Sequence, residues 1–464
     1  MKKKTFAYLF ILILAISLLV RLYKLDLRPM HHDEANQAYK FGQLLDKGQY
    51  RYDPADHHGP TLYYFSLPLA WLSGQKTYAD LTENTLRGVT VFFGWLTILF
   101  LLAAGKNLSN SEKLLAAIFL ALSPPLVYFS RFYIQESLFV AFGLAFIIFL
   151  WRFFQKPDFG EAAWLGIAAG LLYATKETSL IVLGNSILAL IIINFLPIIK
   201  NRKKGRLKAD GKQARKAGSA QIKKFALPLI VSIIIFMVIS FLFYSSFFQN
   251  PRGFVDSIKA FSGYAQRAIE TGWHKHGFWY YFNLLFYHKA GSNSPLFSEM
   301  PFLFLALFGA ILSLARLNRK SSEDFKAYLA AFSLITALVF SAIPYKTPWN
   351  MLIFYAGFLI LAAIGLVHLI GLIKNRQLKI ILAGGLLFWT GWQTYLVNYY
   401  FHSYPDNPYV YAQTSPDFMR LVARVEELSQ ASKEGKNTFI RVIAPPEETW
   451  PLPWYLRKYT RVGY

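Results

Sequence analysis

Two neighbouring acids, Asp33 and Glu34, come shortly after the first long apolar stretch of the chain. A carboxylate in this position could act as a general base and take a proton from an acceptor hydroxyl. The same acids could instead belong to a solvated loop in which Asp33 caps a helix, because residues 36–45 have a helical pattern. The residue types alone leave both interpretations open.

The two histidines before these acids, His31 and His32, add imidazole groups that a divalent metal can use together with carboxylates. Adjacent residues on a helix point about 100° apart, so a single metal would not readily use all four side chains. We therefore expect no required cofactor. A divalent metal bound by His32 and Asp33 is the alternative.

Three cations, Arg131, Lys176 and Lys346, each lie next to a long apolar stretch. Arginine offers a planar fork to a phosphate and lysine a point charge, so together they could bind a lipid phosphate. They could equally anchor helix ends at the level of the lipid headgroups. Glu136 and Glu177 could also pair with Arg131 and Lys176 and withdraw them from a ligand.

His274 and His276 lie in an aromatic-rich stretch at residues 251–294. Two histidines at this spacing diverge on a helix but share one face of a strand. The surrounding Trp and Tyr residues are typical of a membrane–water interface, or could form a platform for stacking a sugar. The sequence has no P-loop and no dinucleotide-binding fingerprint, so nucleotide-driven transport is not indicated.

The elements that must position these residues are apolar stretches long enough to cross a membrane. Of 464 residues, 55% are hydrophobic and only 16% charged, which is too apolar for a series of soluble domains. The lack of cysteine excludes a disulfide scaffold and a catalytic thiol. Because about 20 apolar residues cross a bilayer, we predict an all-α polytopic membrane protein with about eleven spans. They cover residues 5–20, 88–105, 114–130, 137–151, 162–175, 178–199, 225–250, 300–315, 327–344, 347–373 and 380–401.

The distribution of charge predicts how these spans are oriented. The formal net charge is +23, and residues 200–224 alone contribute +10 of it. Short basic loops stay in the cytoplasm, so we predict a cytoplasmic N-terminus and an extracytoplasmic C-terminus. The excess charge therefore indicates topology and contact with membrane lipids, and we expect no binding of nucleic acid. In this topology the polar segments described above all lie on the outer face.

The same pattern predicts two parts of the chain. Residues 1–399 form the transmembrane module, with a first outer loop at 24–82, a basic cytoplasmic loop at 200–224 and a second outer loop at 251–294. Residues 400–464 form a small α+β extracytoplasmic segment.

Several short motifs add a family resemblance. The segment HHDEANQAY (31–39) resembles the Asp-Glu motif of the GT-C membrane glycosyltransferases, which include the dolichyl-phosphate-mannose protein mannosyltransferases and the aminoarabinose transferase of lipid A. HHGPTLYYF (57–65), GLLYATKETSLIVL (170–183) and PYKTPWNML (344–352) are similar to later motifs of these families. Gly59 departs from the pattern, since it replaces a proline.

Two further segments, TSPD (414–417) and WPLPWYLR (450–457), extend the similarity towards one subfamily. With them, the chain most resembles bacterial and archaeal membrane proteins described as "flippase activity-associated". The resemblance implies a GT-C bundle. It also implies inverting transfer of a sugar from a polyprenyl-phosphate donor to a protein, lipid or glycan acceptor outside the membrane. The alternative is a flippase, or an accessory protein that handles lipid-linked oligosaccharide without catalysis.

The resemblance also implies roles for individual residues. Asp33 would be the general base, with Glu34 as the second acid of the catalytic pair. The lipid phosphate would be bound by Arg131, Lys176, Lys346 and His58, and the sugar or acceptor contacts would include His57, His274, His276 and Trp349.

Overall fold

The computed structural model describes residues 2–56, 58–203, 211–267, 272, 274–317, 321–445 and 448–464. These residues fold almost entirely into helices, which we number in chain order. They are α1 (Lys3–Leu22), α2 (His32–Lys47), α3 (Thr61–Leu72), α4 (Glu83–Leu99), α5 (Asn110–Leu122), α6 (Pro124–Ser130), α7 (Glu136–Gln155), α8 (Phe159–Tyr173), α9 (Ser179–Lys203), α10 (Gly211–Tyr244), α11 (Arg252–Arg267), α12 (Tyr280–Phe286), α13 (Met300–Ala315), α14 (Ser321–Ala342), α15 (Leu352–Leu372), α16 (Arg376–Tyr395), α17 (Phe418–Ala431) and α18 (Leu452–Tyr455).

Shorter elements join these helices. Two strands, β1 (Ile440–Arg441) and β2 (Val462–Gly463), pair in parallel. Short 3₁₀ helices lie at Tyr78–Asp80, Phe100–Asn107, Pro348–Met351 and Gly435–Asn437, and a π-helical turn lies at Leu396–Tyr400.

Within the described chain, seven helical segments are long and apolar enough to cross a membrane. The pair α5 and α6, bent by 58°, would make an eighth span. This confirms an all-α multi-pass membrane protein, whereas the count of eleven spans stays a prediction. The seven segments are Lys3–Leu22, Glu83–Asn107, Glu136–Gln155, Lys224–Tyr244, Glu323–Ala342, Pro348–Leu372 and Arg376–Tyr400, and three shorter apolar helices are Phe159–Tyr173, Ser179–Asn194 and Met300–Ala315.

Helices α7 and α15 lie at the centre of the bundle. Both are apolar on every side, and residues 352–366 of α15 are all buried. A helix that is hydrophobic all round must be covered by neighbours or by lipid. Helices α1, α10 and α16 instead leave most of their apolar surface exposed, as expected for the helices at the lipid-facing rim.

The C-terminal segment packs against the first predicted outer loop and against the start of α4. The indole Nε1 of Trp454, which is fully buried, donates to Glu83 Oε1 at 2.7 Å. The hydroxyl of Tyr455 accepts from the backbone N–H of Met30 at 2.8 Å. Residues close to the end of the chain therefore hold the loop that leads into α2.

Helices α13 and α15 meet through two glycines, Gly309 and Gly365. A Cβ atom at Gly309 would overlap the carbonyl oxygen of Leu361, and one at Gly365 would overlap that of Leu305. The two backbones therefore approach each other directly, as small residues allow between membrane helices.

We expect Gly309→Ala to destabilise the protein by about 1–3 kcal/mol, because the added methyl group must push the two backbones apart. The matched control is Gly384→Ala on α16, where a Cβ meets nothing within 4 Å. That change should be neutral or stabilise by up to about 1 kcal/mol through helix propensity. Thermal unfolding of the detergent-solubilised variants measures both, and equal melting temperatures would contradict the close contact.

Candidate functional site

Helix α2 begins with a capping box formed by His31 and Glu34. The Nδ1 atom of His31 accepts from the backbone N–H of Asp33 at 2.9 Å, and Glu34 accepts from the backbone N–H of His31 at 3.1 Å. Because Nδ1 accepts, the His31 proton lies on Nε2, which donates to the carbonyl oxygen of Tyr411 at 2.9 Å. The sequence motif thus encodes the start of a helix as well as a pair of acids.

Glu34 is completely buried and forms a two-point ion pair with Arg87 of α4. Both hydrogen bonds between the guanidinium and the carboxylate are 2.8 Å long. The backbone N–H of Tyr133 donates to the same carboxylate at 2.8 Å. Burial alone would raise the pKa of the Glu34 carboxyl, but the charge and hydrogen bonds of Arg87 outweigh it and lower this pKa to about 2. Glu34 is therefore a buried anion that anchors α2.

Beside the start of α2 lies a cavity of about 490 Å³. Its wall combines α2, residues 55, 56 and 58, and the segments around residues 135, 177 and 347. Four of the predicted site residues line it, namely Asp33, His58, Lys176 and Trp349. The other lining residues are Asn36, Gln37, Lys40, Ala55, Asp56, Ile134, Gln135, Glu136, Glu177, Thr178, Leu180, Ile181, Phe261, Phe340, Ile343, Tyr345, Thr347 and Asn350.

Lys176 lies in the cavity wall and is buried. Its ammonium is paired with Glu136 and donates to Asn350 Oδ1 at 3.0 Å. Of the two acids that could pair with it, Lys176 contacts Glu136 and not the adjacent Glu177. Since a lysine ammonium has three donors, one remains for a ligand.

His58 contacts Glu177 directly in the cavity wall, with Nδ1 2.8 Å from a carboxylate oxygen. This contact depends on a close approach between two chain segments. The backbone N–H of Thr61 donates to the carbonyl oxygen of Ala174 at 3.2 Å, and a Cβ at Gly59 would overlap that oxygen. Gly59 in place of the family's proline is thus explained by this contact, which leaves no room for a side chain.

Lys40, which our sequence analysis missed, is a second buried lysine of the cavity. Its ammonium pairs with the Asp56 carboxylate at 3.0 Å. Burial lowers the pKa of this ammonium, although Asp56 acts in the opposite direction. Helical spacing could have predicted that Lys40 lies near Asp33, because a residue seven positions after Asp33 lies on the same face of α2.

Asp33 differs from the other acids of the cavity. Its side chain is 42% exposed, and the nearest cation-forming atom recorded for it, His31 Nδ1, is 3.8 Å away. By contrast, Asp56, Glu136 and Glu177 each face a lysine or a histidine. Among the described residues, Asp33 is thus the cavity carboxylate that has no lysine or histidine nitrogen within hydrogen-bond distance.

Two predicted phosphate ligands lie outside the cavity wall. The guanidinium of Arg131 donates to the carbonyl oxygens of Val20, Tyr23 and Lys24, at 3.2, 2.7 and 2.6 Å. It therefore caps the end of α1. The ammonium of Lys346 donates to the carbonyl oxygens of His276 and Ile343 and is buried.

The predicted sugar or acceptor contacts are divided between the cavity and the surface above it. Trp349 lines the cavity and stands edge-on to Tyr411, 5.8 Å between ring centroids. His274 Nδ1 lies 2.6 Å from the Tyr411 hydroxyl, and His276 stacks on Tyr280 at 4.1 Å. These histidines are not part of the cavity wall. His57 lies outside the described residues.

No group of three or more His, Asp or Glu side chains that could bind a metal is found in the part of the chain that the structure describes. His32, half of the predicted alternative pair, packs against Trp450 at 6.2 Å between ring centroids.

The fold and this cavity define a class of protein: the GT-C membrane glycosyltransferases. The family model described as dolichyl-phosphate-mannose-protein mannosyltransferase matches residues 11–251, just over half of the chain. The chain belongs to this family. The expected membership of a glycosyltransferase family is thereby confirmed, while the "flippase activity-associated" subfamily stays a prediction. No curated protein sequence matches the chain significantly.

Solved structures support the same fold. The apo oligosaccharyltransferase of Archaeoglobus fulgidus superposes with a TM-score of 0.63 at 12% identity, covering 100% of this chain and 64% of its own length. ArnT from Cupriavidus metallidurans bound to undecaprenyl phosphate gives 0.60 at 15% identity, covering 99% of this chain and 86% of that one. The A. fulgidus oligosaccharyltransferase AglB in complex with an inhibitory peptide and a dolichol-phosphate gives 0.56 at 13% identity, with coverages of 99% and 60%. At these identities the similarity concerns the fold.

We expect Glu34→Gln to destabilise the protein by about 3 kcal/mol, because it leaves the Arg87 guanidinium buried without its anion. The Glu34 pKa is lower in the folded than in the unfolded protein, so this contribution is complete at neutral pH and is lost as the pH falls towards 2. The difference in unfolding free energy between wild type and variant should therefore shrink to less than half by about pH 3.

Unfolding in detergent at pH 7 and at steps down to pH 3 measures this difference. Glu427→Gln, which breaks an exposed ion pair with Arg424, is the control and should cost at most about 1 kcal/mol. A pH-independent difference for Glu34→Gln would show that the carboxylate does not carry the interaction.

Proposed function

We propose that this chain transfers a sugar from a polyprenyl-phosphate donor to an acceptor hydroxyl at the extracytoplasmic face, with inversion. The observation that carries the proposal is Asp33, a half-exposed carboxylate with no lysine or histidine nitrogen within hydrogen-bond distance, at a cavity that also contains Lys176. The structures of similar fold add support, since ArnT was solved with undecaprenyl phosphate and AglB with a dolichol-phosphate. The basic stretch at 200–224 supports a cytoplasmic N-terminus and an outer position for the site.

In the proposed reaction Asp33 takes the proton of the acceptor hydroxyl. The acceptor oxygen then forms a bond to the anomeric carbon of the donor sugar. The bond between that carbon and the phosphate oxygen breaks at the same time, and the polyprenyl phosphate leaves with the electron pair. Attack from the side opposite the phosphate inverts the anomeric centre.

The phosphate is proposed to lie near Lys176 and His58. Four carboxylates and two lysines line the cavity, so its formal charge does not by itself attract an anion. Binding must therefore come from directed donors, of which the third N–H of Lys176 is one. We do not extend this role to Arg131 and Lys346, because neither residue lines the cavity.

Two polar atoms in the cavity wall are suited to sugar hydroxyls. Within the described chain, Glu177 Oε1 and Thr347 Oγ1 are buried and make no hydrogen bond. A buried polar atom without a partner is costly, and a hydroxyl of the ligand could satisfy it. Trp349 lines the same cavity and offers an aromatic surface to a sugar ring.

Asp33→Asn tests the base directly. We expect turnover of a synthetic polyprenyl-phosphate sugar by purified protein to fall by about 10²–10⁴-fold, because the amide cannot accept the proton. Donor binding should remain. Asp26→Asn, in the same predicted loop but exposed and outside the cavity, is the matched control.

Equal turnover by wild type and Asp33→Asn would remove Asp33 as the base. Donor binding without turnover by the wild type, with every donor and acceptor tried, would favour a protein that handles the lipid-linked sugar without catalysis.

The phosphate site is tested by the double variant Lys176→Gln/Glu136→Gln. Changing both residues avoids leaving a buried Glu136 without its cation. We expect the KM for the donor to rise by about tenfold or more, because a charged hydrogen bond to the phosphate is lost. The single variant Glu136→Gln is the control that separates the effect of losing the acid from that of losing the lysine. An unchanged KM in the double variant would contradict a role for Lys176 in binding the phosphate.

A further inference from the structure

A second cavity, of about 360 Å³, lies between α5, α13, α14 and α15. It shares no residue with the site described above. Its wall contains five ionisable side chains among apolar ones. The lining residues are Glu112, Leu312, Ser313, Arg316, Glu323, Lys326, Ile364, Val367, His368, Gly371 and Leu372.

This second cavity lies at the other end of the bundle. Helix α14 contributes Glu323 to it and Phe340 to the first cavity. Seventeen residues of helix span about 26 Å, close to the thickness of the hydrocarbon core of a bilayer. The second cavity is therefore at the level of the lipid headgroups on the opposite side of the membrane.

The charges in this cavity are arranged in two groups. Lys326 lies between two acids, with its ammonium 2.7 Å from Glu112 and 3.3 Å from Glu323. One cation thus faces two carboxylates, which leaves this end negative. Arg316 contacts the imidazole of His368 at 3.2 Å and has no carboxylate partner in the described chain, so its end is positive. Together these four charges formally cancel.

An exposed apolar surface adjoins the cavity. Leu307, Ile311 and Leu314 recur on one face of α13 and are exposed, as is Leu372 at the end of α15. In a membrane such side chains contact the acyl chains of lipids. The cavity is thus open to a molecule that has both a polar head and apolar tails.

We propose that this cavity binds the headgroup of a zwitterionic phospholipid that carries a phosphate and a primary ammonium. The guanidinium of Arg316 offers the phosphate a planar pair of donors. Glu323 accepts hydrogen bonds from the ammonium of the lipid. It has acceptor capacity left, because it shares the single cation Lys326 with Glu112. A quaternary choline has no N–H to donate, and a glycerol headgroup carries no cation, so phosphatidylethanolamine fits better than either analogue.

The test compares lipid retention by native mass spectrometry of the full-length protein in detergent, with phosphatidylethanolamine, phosphatidylcholine or phosphatidylglycerol added in turn. We expect phosphatidylethanolamine to be retained preferentially. Arg316→Gln should weaken its retention by about tenfold, the effect of one charged hydrogen bond. Glu323→Gln should remove the preference over phosphatidylglycerol while some binding of both lipids remains.

Arg376→Gln is the control, because Arg376 is exposed near the same end and does not line the cavity. Soluble phosphoethanolamine, which lacks the tails, should compete only weakly. Equal retention of the three lipids, or retention unchanged in both cavity variants, would overturn the proposal. Thermal unfolding without added lipid verifies that each variant is folded.

Discussion

The buried ion pair between Glu34 and Arg87 is the constraint on which the site depends. An isolated carboxylate could not stay charged in this apolar interior, so its position is set by the guanidinium of α4. Because neighbouring residues on a helix point about 100° apart, fixing Glu34 inwards turns Asp33 towards the cavity. The two adjacent acids therefore have different tasks. One fixes the helix, and the other is left accessible.

The rest of the cavity is built by the same means, from polar contacts between segments far apart in the chain. Lys176 connects its own segment to those of Glu136 and Asn350. His58 connects its segment to that of Glu177. A site assembled in this way needs no single motif of its own. It needs several short polar segments that lie together at one end of the helical bundle. Apolar spans that alternate with polar connections place such segments there.

The sequence predicted the helical membrane bundle because span length and apolar composition are local properties. It also named Glu136 and Glu177 as acids that could pair with Arg131 and Lys176, but the sequence did not determine which acid Lys176 contacts. Arg87 went unnoticed at the edge of the predicted span 88–105, because its partner lies 53 positions away. The environment of Arg131 was equally hidden. Whether a guanidinium faces a ligand or caps the end of another helix depends on tertiary packing, and spacing does not encode it.

The contact between Met30 and Tyr455 links residues 425 positions apart. Because a chain is made from its N-terminus, this hydrogen bond can form only after the helices between the two residues have been synthesised. The segment that precedes α2, and with it the start of the helix that carries Asp33, is therefore held by a contact that local folding near Asp33 cannot supply.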